Sequence, residues 1–268
     1  MMTYGFIGTG NMGAALARAA AKAVENPGDL FLANRSRAKA EALAAELGAT
    51  VADNTAIAEK CDYILLGVKP QMMAAVLADL APLLKARTTP FCLISMAAGL
   101  TISQIQTMAG GNYPVIRILP NTAVAVGEGV TLWCAGEAVS PAQKAGYLSL
   151  LGASGLLEEL SESLIDAGCA VAGCGGAFAC LFMEALSDGG VLCGLPRDKA
   201  LRYAAQMLRG TAALALETGE HPARMKDAIC SPGGSTIAGV RALEENGFRS
   251  AVTEAVIAAY RRTVELGK

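Results

Sequence analysis

The chain has 268 residues, of which 53% are hydrophobic and 17% charged, and its formal net charge at pH 7 is −2. This length allows a substantial core in one large or two small domains, and the composition excludes a disordered chain. The nearly balanced charge, without a run of lysine and arginine, predicts no nucleic-acid partner. Eight cysteines without a CxxC pair and a single histidine, His221, predict no bound metal.

The first residues form an apolar strand pattern without a basic segment or cleavage site, so we expect a cytoplasmic protein with reduced thiols. The first half then alternates β-like runs with alanine-rich helical runs, which predicts an α/β domain with a parallel sheet over residues 1–160. The predicted strands are 3–8, 30–34, 62–68, 91–97, 114–119 and 129–135, with helices at 11–25, 36–47 and 71–85.

After Ser161 the strand signals stop, and residues 161–268 are predicted to form a second, all-α domain. The predicted helices are 161–193, 197–218, 222–229, 235–246 and 249–266. Ala167 to Met183 is uncharged over its whole length. It is slightly short for a membrane span and rich in glycine and alanine, so we expect a buried helix and no membrane partner.

A glycine fingerprint, GFIGTGNMG, places Gly8, Gly10 and Gly13 between the first strand and the first helix. In that context the first glycine makes a tight turn, the second lets the backbone approach a pyrophosphate, and the third allows close packing of the helix. The helix N-terminus adds free amide donors and a positive dipole. We therefore predict a dinucleotide site here rather than a glycine turn without a ligand.

The second strand ends in Asn34-Arg35-Ser36-Arg37, where an NAD-preferring site usually has a carboxylate. Because no carboxylate repels a 2′-phosphate and guanidinium, amide and hydroxyl groups can bind one, we predict that NADPH is preferred and that NADH is also usable. The alternative is a polar helix start, with Ser36 as N-cap and solvated arginines.

Two further stretches end predicted strands: Lys69-Pro70 after the third and MAAG, residues 96–99, after the fourth. Ligands of open α/β sheets bind at the carboxyl ends of the strands, so both stretches are expected to line the cofactor crevice. For Lys69-Pro70, a strand end enforced by proline with an exposed lysine is an equally good interpretation.

The segment SPGGST, Ser231 to Thr236, interrupts the helical second half. A helix that restarts at Ser235 presents unpaired amides and a positive dipole, which form an anion site. The alternative is a capped turn, in which Ser235 or Thr236 satisfies its own helix.

Several stretches together resemble the pyrroline-5-carboxylate reductase family, nearly end to end. They are GFIGTGNM, VKPQ, MAAG, IRILPNTA, DGGVLCGLPR and, most selectively, SPGGSTIAGVRALEENGFR. The resemblance implies an N-terminal Rossmann-like NAD(P)-binding domain and an all-α C-terminal domain that forms a homodimer, with larger rings of dimers common. The implied activity is reduction of 1-pyrroline-5-carboxylate to L-proline, the last step of proline biosynthesis.

The resemblance also implies roles for individual residues. Thr236 would act at the ring nitrogen of the substrate, and Ser231, Gly234 and Ser235 would join it in binding the substrate carboxylate. The implied cofactor contacts are Gly8, Thr9, Gly10, Asn11, Met12, Asn34, Arg35, Ser36, Asn54, Val68, Lys69, Pro70, Ala97, Ala98, Gly99 and Glu162. Cys174 and Gly176 depart from the family pattern, which has serine and proline at these positions.

Two other functions are compatible with a dinucleotide fingerprint. A β-hydroxyacid dehydrogenase needs a lysine on its central helix to handle an alcohol proton, yet no lysine or arginine lies between Glu158 and Pro196. A protein that senses NADP(H) without turnover needs no second anion site, and SPGGST provides one. Reduction of an imine needs neither a metal nor a covalent nucleophile, which suits this chain.

Overall fold

A computed structural model describes residues 2–266 of the chain. The eight strands are β1 (Tyr4–Ile7), β2 (Leu30–Ala33), β3 (Thr50–Val51), β4 (Tyr63–Leu66), β5 (Cys92–Ser95), β6 (Val115–Pro120), β7 (Gly129–Ala135) and β8 (Gly155–Glu159). The helices are α1 (Asn11–Ala21), α2 (Arg37–Leu47), α3 (Asn54–Lys60), α4 (Pro70–Ala86), α5 (Ile102–Ala109), α6 (Pro141–Leu151), α7 (Glu162–Ala172), α8 (Gly175–Leu192), α9 (Arg197–Thr218), α10 (Pro222–Ile229), α11 (Ser235–Glu245) and α12 (Phe248–Leu266).

All eight strands form one sheet in the order β3-β2-β1-β4-β5-β6-β7-β8. The strands from β3 to β6 in this order are parallel, β7 is antiparallel to β6, and β8 is parallel to β7. The chain reverses its winding between β1 and β4, so the carboxyl ends of these two strands flank the crevice in which such sheets bind dinucleotides. This Rossmann-like arrangement confirms the predicted fold class of the first half.

Helices cover both faces of the sheet, because alternate residues of each buried strand point to opposite faces. In β4, Ile64 and Leu66 pack with α3, α4 and α5, whereas Tyr63 and Leu65 pack with α1, α2 and α6. All four β4 side chains are almost completely buried. The two core layers therefore hold the strand ends, and the loops that follow them, in fixed positions.

The six predicted strands are present, with ends that differ by up to two residues. Sequence reasoning missed the short edge strand β3, the strand β8 and the helices α3, α5 and α6. The missed helices begin with side-chain caps that the hydrophobic pattern does not reveal: Asp53 for α3, Thr101 for α5 and Ser140 for α6.

Between Glu159 and residue 266 the second half contains helices and no strand, as predicted, but the single helix expected over 161–193 is wrong. It is divided into α7 and α8 at Gly173-Cys174, where the amides of both residues donate to the carbonyl of Cys169. Glycines at 173, 175 and 176 are weak helix formers, which explains a break at this point. The predicted helices α9 and α10 have the expected bounds, and α11 and α12 differ from theirs by one residue.

The chain forms two compact units. The first contains the residues up to Cys174 together with those from Ala259 onward, and the second contains Gly175–Ala258. The first unit holds the whole sheet, and the second contains helices only. The domain boundary that the sequence places between residues 160 and 161 stays a prediction.

The helices of the second unit expose many large apolar side chains. In α8 the exposed fraction is 68% for Leu181 and 89% for Leu192, and Ser187 is the one α8 residue that is buried. The expectation that Ala167 to Met183 forms a buried helix is therefore wrong for the single chain. An apolar surface of this kind is typical of an interface.

By length and composition alone, the helical stretch Glu162–Leu192 could cross a membrane, and only 6% of its most apolar window is buried. One such stretch is weak support for a membrane span. The stretch is interrupted at Gly173-Cys174, and its second half carries the charged side chains of Glu184 and Asp188. Both features are unfavourable inside a lipid bilayer.

Candidate active site

Three glycines shape the loop between β1 and α1, and each has a different constraint. Gly8 has a φ of +100°, and a Cβ on it would lie 2.6 Å from the carbonyl oxygen of Gly67. A Cβ on Gly13 would lie 2.1 Å from the carbonyl oxygen of Gly8, so α1 packs directly on the loop. A Cβ on Gly10 would meet no atom within 4 Å. The fold therefore requires Gly8 and Gly13, whereas Gly10 faces open space from which a ligand can approach the backbone.

The first turn of α1 leaves its amides free. Gly10 is the N-cap, with φ −69° and ψ −171°, and no side chain caps the helix. The amides of Asn11 and Met12 have no acceptor among the described residues, because the first bond of the helix runs from Ala14 N to Gly10 O at 2.8 Å. The side chain of Thr9 is buried, and its Oγ1 has no partner in the described part of the chain. This helix start can accept an anion such as a pyrophosphate.

The loops after β4 and β5 lie at the same edge of the sheet. A Cβ on Gly8 would lie 3.2 Å from the amide nitrogen of Val68, so the fingerprint and the predicted crevice residues are neighbours. Lys69 is exposed at the N-cap of α4 and has no acidic partner among the described residues, and Pro70 begins that helix. In the β5 loop, Gly99 turns the chain with a φ of +78°. Ala97 is buried there, and Ala98 is half-buried.

The loop after β2 carries the residues predicted to contact the ribose. Asn34 Nδ2 donates to the carbonyl of Ser36 at 3.1 Å, which shapes the loop. Ser36 is the N-cap of α2, but its side chain makes no capping bond, so the alternative of a simple serine cap is not realised. Arg37 pairs with Glu41, whereas Arg35 is exposed and has no partner among residues 2–266.

Asn54 begins α3 at the next strand end, immediately after the N-cap Asp53, and its side chain is exposed. The Asp53 carboxylate accepts the amide of Ala56 at 2.7 Å, so it is committed to the helix start. Asn54 itself makes no side-chain hydrogen bond within the described residues, and its amide group is free to contact a ligand.

Glu162 lies at the start of α7, and its carboxylate contacts two parts of the first unit. Oε1 accepts the backbone amide of Ile102 at 2.7 Å and lies 3.6 Å from Nη1 of Arg117. Arg117 also donates from Nη2 to Asp166 at 2.5 Å. Sequence reasoning missed Arg117 and Asp166. The signal was present, because a single charged residue inside the apolar strand VIRIL must find a buried partner.

The loop before α11, in the second unit, contains the predicted substrate residues. Gly233 has a φ of +69°, and Gly234 is an uncapped N-cap with φ −77° and ψ 168°. The amide of Gly234 donates to the carbonyl of Ser231 at 3.0 Å. The amide of Gly234 is thus already paired within the turn, and the part of Gly234 in substrate binding stays a prediction.

The amides of Ser235 and Thr236 have no acceptor in the described part of the chain, and the hydroxyls of Ser231, Ser235 and Thr236 make no hydrogen bond there. The alternative of a self-satisfied serine or threonine cap is thus not what the loop forms. Two amides and three hydroxyls remain available to an anion at the start of an eleven-residue helix.

Three of the cysteines are buried, and burial lowers their reactivity. Burial raises the pKa of Cys61 and of Cys92 to about 12, and that of Cys134 to about 11, so these thiols stay protonated and are poor nucleophiles. His221 is exposed, and its Nδ1 accepts the amide of Ala223 at the start of α10. Within residues 2–266, no group of three or more metal-ligating side chains is placed to hold an ion.

Two protein families match the chain. Residues 162–266 match the family described as pyrroline-5-carboxylate reductase dimerisation, and residues 3–99 match the family described as NADP oxidoreductase coenzyme F420-dependent. The first match contains the SPGGST loop, and the second contains the glycine fingerprint and the loops after β2, β4 and β5.

Individual proteins match over almost the full length. The pyrroline-5-carboxylate reductase of Synechocystis is 44% identical over 266 residues, which cover 98% of each chain. The solved structure of a pyrroline-5-carboxylate reductase from Coxiella burnetii superposes with a TM-score of 0.90 at 31% identity, covering 100% of this chain and 99% of that one. The Plasmodium falciparum pyrroline carboxylate reductase, solved with NADP bound, gives a TM-score of 0.87 at 30% identity, covering 100% and 98%.

Proposed function

The chain belongs to the pyrroline-5-carboxylate reductase family, as its motifs predicted, and we propose from its geometry how it carries out the family's reaction. That reaction transfers a hydride from NAD(P)H to the C=N bond of 1-pyrroline-5-carboxylate and gives L-proline, the last step of proline biosynthesis. The nicotinamide supplies the hydride, so the protein's part is to bind and orient the reactants and to exclude water. The observation that carries the proposal is that α1 and α11 both begin after a glycine without a side-chain cap.

The first of these helix starts is the proposed pyrophosphate site. The open space at Gly10 is the cradle that a Cβ would fill, so the residues present fit a dinucleotide. The amides of Asn11 and Met12 would donate to the pyrophosphate, with Gly8 and Thr9 forming the wall of the loop. Val68, Lys69 and Pro70 would border the nicotinamide riboside, and Ala97, Ala98 and Gly99 would leave room for the nicotinamide ring.

We propose that NADPH is the preferred cofactor and that NADH is also used. Arg35 is free of an acidic partner among the described residues, and the Ser36 hydroxyl is not used as a cap. The first amides of α2 lie beside them, so a 2′-phosphate would meet a guanidinium, a hydroxyl and a helix start. Asn34 and Asn54 would contact the adenosine ribose. NADH lacks the phosphate but keeps every other contact, which accounts for its use.

The second helix start, at α11, is the proposed site for the substrate carboxylate. The amides of Ser235 and Thr236 would hold its two oxygens, and the hydroxyls of Ser231 and Ser235 would add donors. Hydride adds to the carbon of the protonated imine, and the π pair of the C=N bond becomes the lone pair of the amine nitrogen. The Thr236 hydroxyl would bond to that ring nitrogen and keep its carbon in line for the hydride.

A second copy of the chain is the proposed partner of the second unit. The exposed apolar side chains of α8, α9 and α11 would become the core of a homodimer, and larger rings of dimers would form from such pairs. Burial of these side chains in the dimer would also explain why the stretch Glu162–Leu192 is so apolar, so that no membrane is needed to explain it. We therefore propose a cytoplasmic homo-oligomer. Light scattering on detergent-free protein should give twice the chain mass or an even multiple of it, and a monomer would contradict this.

Turnover by the purified chain tests the proposed activity. With 1-pyrroline-5-carboxylate present, NADPH absorbance should fall, and one L-proline should form for each NADPH oxidised. Omission of the imine is the control for slow oxidation of the cofactor. If NADPH binds but is not consumed, the chain is a sensor of the dinucleotide, and if a hydroxy acid is oxidised instead, it is an alcohol dehydrogenase.

A further inference from the structure

One charged side chain lies inside the first unit and is not itself among the predicted ligand contacts. Arg117 is in the middle of β6 between Ile116 and Ile118, and only 2% of its surface is exposed. Its guanidinium reaches α7, where Glu162 and Asp166 are one helical turn apart and face the sheet together. A buried guanidinium is strongly unfavourable unless it is paired, and here two carboxylates pair with it.

The two carboxylates have different further contacts. Among the described residues Asp166 bonds to Arg117 alone, at 2.5 Å, and thereby joins α7 to the sheet. Glu162 is 3.6 Å from the guanidinium, and its Oε1 also accepts the amide of Ile102 at 2.7 Å. Ile102 is the first residue of α5, so this bond satisfies one of the orphan amides at that helix start.

The bond to Ile102 fixes the far end of the loop that follows β5. The near end of this loop is held by the sheet, at Ser95, which is in register with Arg117 itself. Between them lie Ala97, Ala98 and Gly99, the residues assigned to the nicotinamide. Within the loop, Leu100 N donates to Ala97 O and Ala97 N donates to Ser95 Oγ, both at 3.4 Å. These bonds are long, so the ends of the loop matter most, and at the far end the Glu162 carboxylate acts beside the Thr101–Gln104 capping box of α5.

We propose that Arg117 is a positioning residue for hydride transfer, which holds the Glu162 carboxylate on the Ile102 amide and thereby fixes the nicotinamide loop at Ala97–Gly99. This rests on the proposed function, because it takes that loop to border the nicotinamide. Without the guanidinium, the carboxylates of Glu162 and Asp166 would repel each other on the same helix face. Glu162, which is about one-third exposed, would then turn toward water and release the loop.

The effect should fall on kcat rather than on cofactor binding. The pyrophosphate and ribose contacts are far along the cofactor from this loop and would remain intact, so KM for NADPH should change by less than about twofold. A nicotinamide held less firmly spends less time aligned with the imine, and a displacement of this kind lowers kcat by about tenfold. A general loss of folded protein would not give this pattern of a specific fall in kcat that follows the Arg117–Glu162 connection.

A double-mutant cycle tests whether Arg117 acts through Glu162. We expect Arg117→Met, Glu162→Ala and the double variant each to lower kcat by about tenfold, because all three break the same connection. The isotope effect on kcat with NADPH deuterated at the transferred position should rise in all of them as chemistry becomes slower. Asp166→Asn is the matched control: it removes the other ion pair and should lower Tm while leaving kcat within about twofold of wild type.

Several results would overturn the proposal. A double variant about 100-fold slower than wild type would mean that the two residues act independently. Glu162→Ala with a wild-type kcat and isotope effect would remove the connection altogether, and this variant keeps the proposal testable if Arg117→Met does not fold. Failure of the proposed function is distinguishable, because the wild-type enzyme would then show no turnover of the imine.

Discussion

Replacing Gly10 by alanine should separate cofactor binding from folding. The backbone of Gly10 is in an extended conformation open to any residue, and the added Cβ would meet no protein atom within 4 Å. The free energy of unfolding should fall by about 1 kcal/mol or less, the usual difference between glycine and alanine at an N-cap. For a chain of this size, that lowers Tm by roughly 2–4 °C.

The same Cβ fills the space proposed for the pyrophosphate. If it displaces even one charge-assisted hydrogen bond, NADPH binding weakens by about 1.5–3 kcal/mol, which raises Kd roughly 10- to 150-fold. Gly13→Ala is the matched comparison, since its Cβ would lie 2.1 Å from a backbone oxygen and must disturb the loop itself. We expect that variant to lose about 1–3 kcal/mol of stability through overpacking.

Fluorescence titration with NADPH and thermal melting monitored by circular dichroism measure the two effects on the same samples. For Gly10→Ala we expect a Tm close to that of the wild type and weak NADPH binding, and for Gly13→Ala we expect a lowered Tm. If Gly10→Ala binds NADPH with the wild-type Kd, the pyrophosphate does not lie against this glycine, and the assignment of the α1 start is wrong.

Three further changes test other parts of the account. Thr236→Ala should lower kcat/KM by roughly 10- to 100-fold, which corresponds to about 1.4–2.7 kcal/mol of transition-state stabilisation. Thr236→Ser should stay near wild type because it keeps the hydroxyl. Wild-type kinetics for the alanine variant would remove Thr236 from the mechanism. Arg35→Ala should lower kcat/KM for NADPH about tenfold and leave that for NADH nearly unchanged, and an equal loss with both cofactors would show that no 2′-phosphate is bound there. Burial raises the pKa of Cys61 and Cys92 from 9.0 to about 12, so between these pH values the unfolded chain loses the two thiol protons while the folded chain keeps them. The urea concentration at the unfolding midpoint should therefore fall as pH rises from about 9 toward 12. A midpoint that rises over this range would contradict the burial of the two thiols.

The parts of the fold that follow from local rules could be predicted from the sequence. The spacing of Gly8 and Gly10 after a strand is typical of one structure, the tight turn between a strand and a helix of a dinucleotide-binding domain. The buried strands are continuous apolar runs. Helices α3 and α5 were missed because they are short and their starts depend on side-chain caps such as Asp53 and Thr101. Local sequence alone gives such short segments weak helical preference.

The contacts that join distant segments could not be predicted. The bond from the Gly234 amide to Ser231 O depends on the backbone angles of the tight turn rather than on residue type. Arg117 is distant in sequence from its partners Asp166 and Glu162, and no periodic pattern links them. The exposed apolar surface of α8 likewise depends on what lies beside it, because an apolar helix is compatible with a protein core and with an interface.

A crystal structure with NADP and L-proline bound is the most direct test of the central claim. We predict that the proline carboxylate accepts the amides of Ser235 and Thr236 at the start of α11. We also predict that the Thr236 hydroxyl bonds to the ring nitrogen and that the nicotinamide faces the ring carbon. A carboxylate bound elsewhere, with these two amides in contact with water alone, would contradict the proposed substrate site.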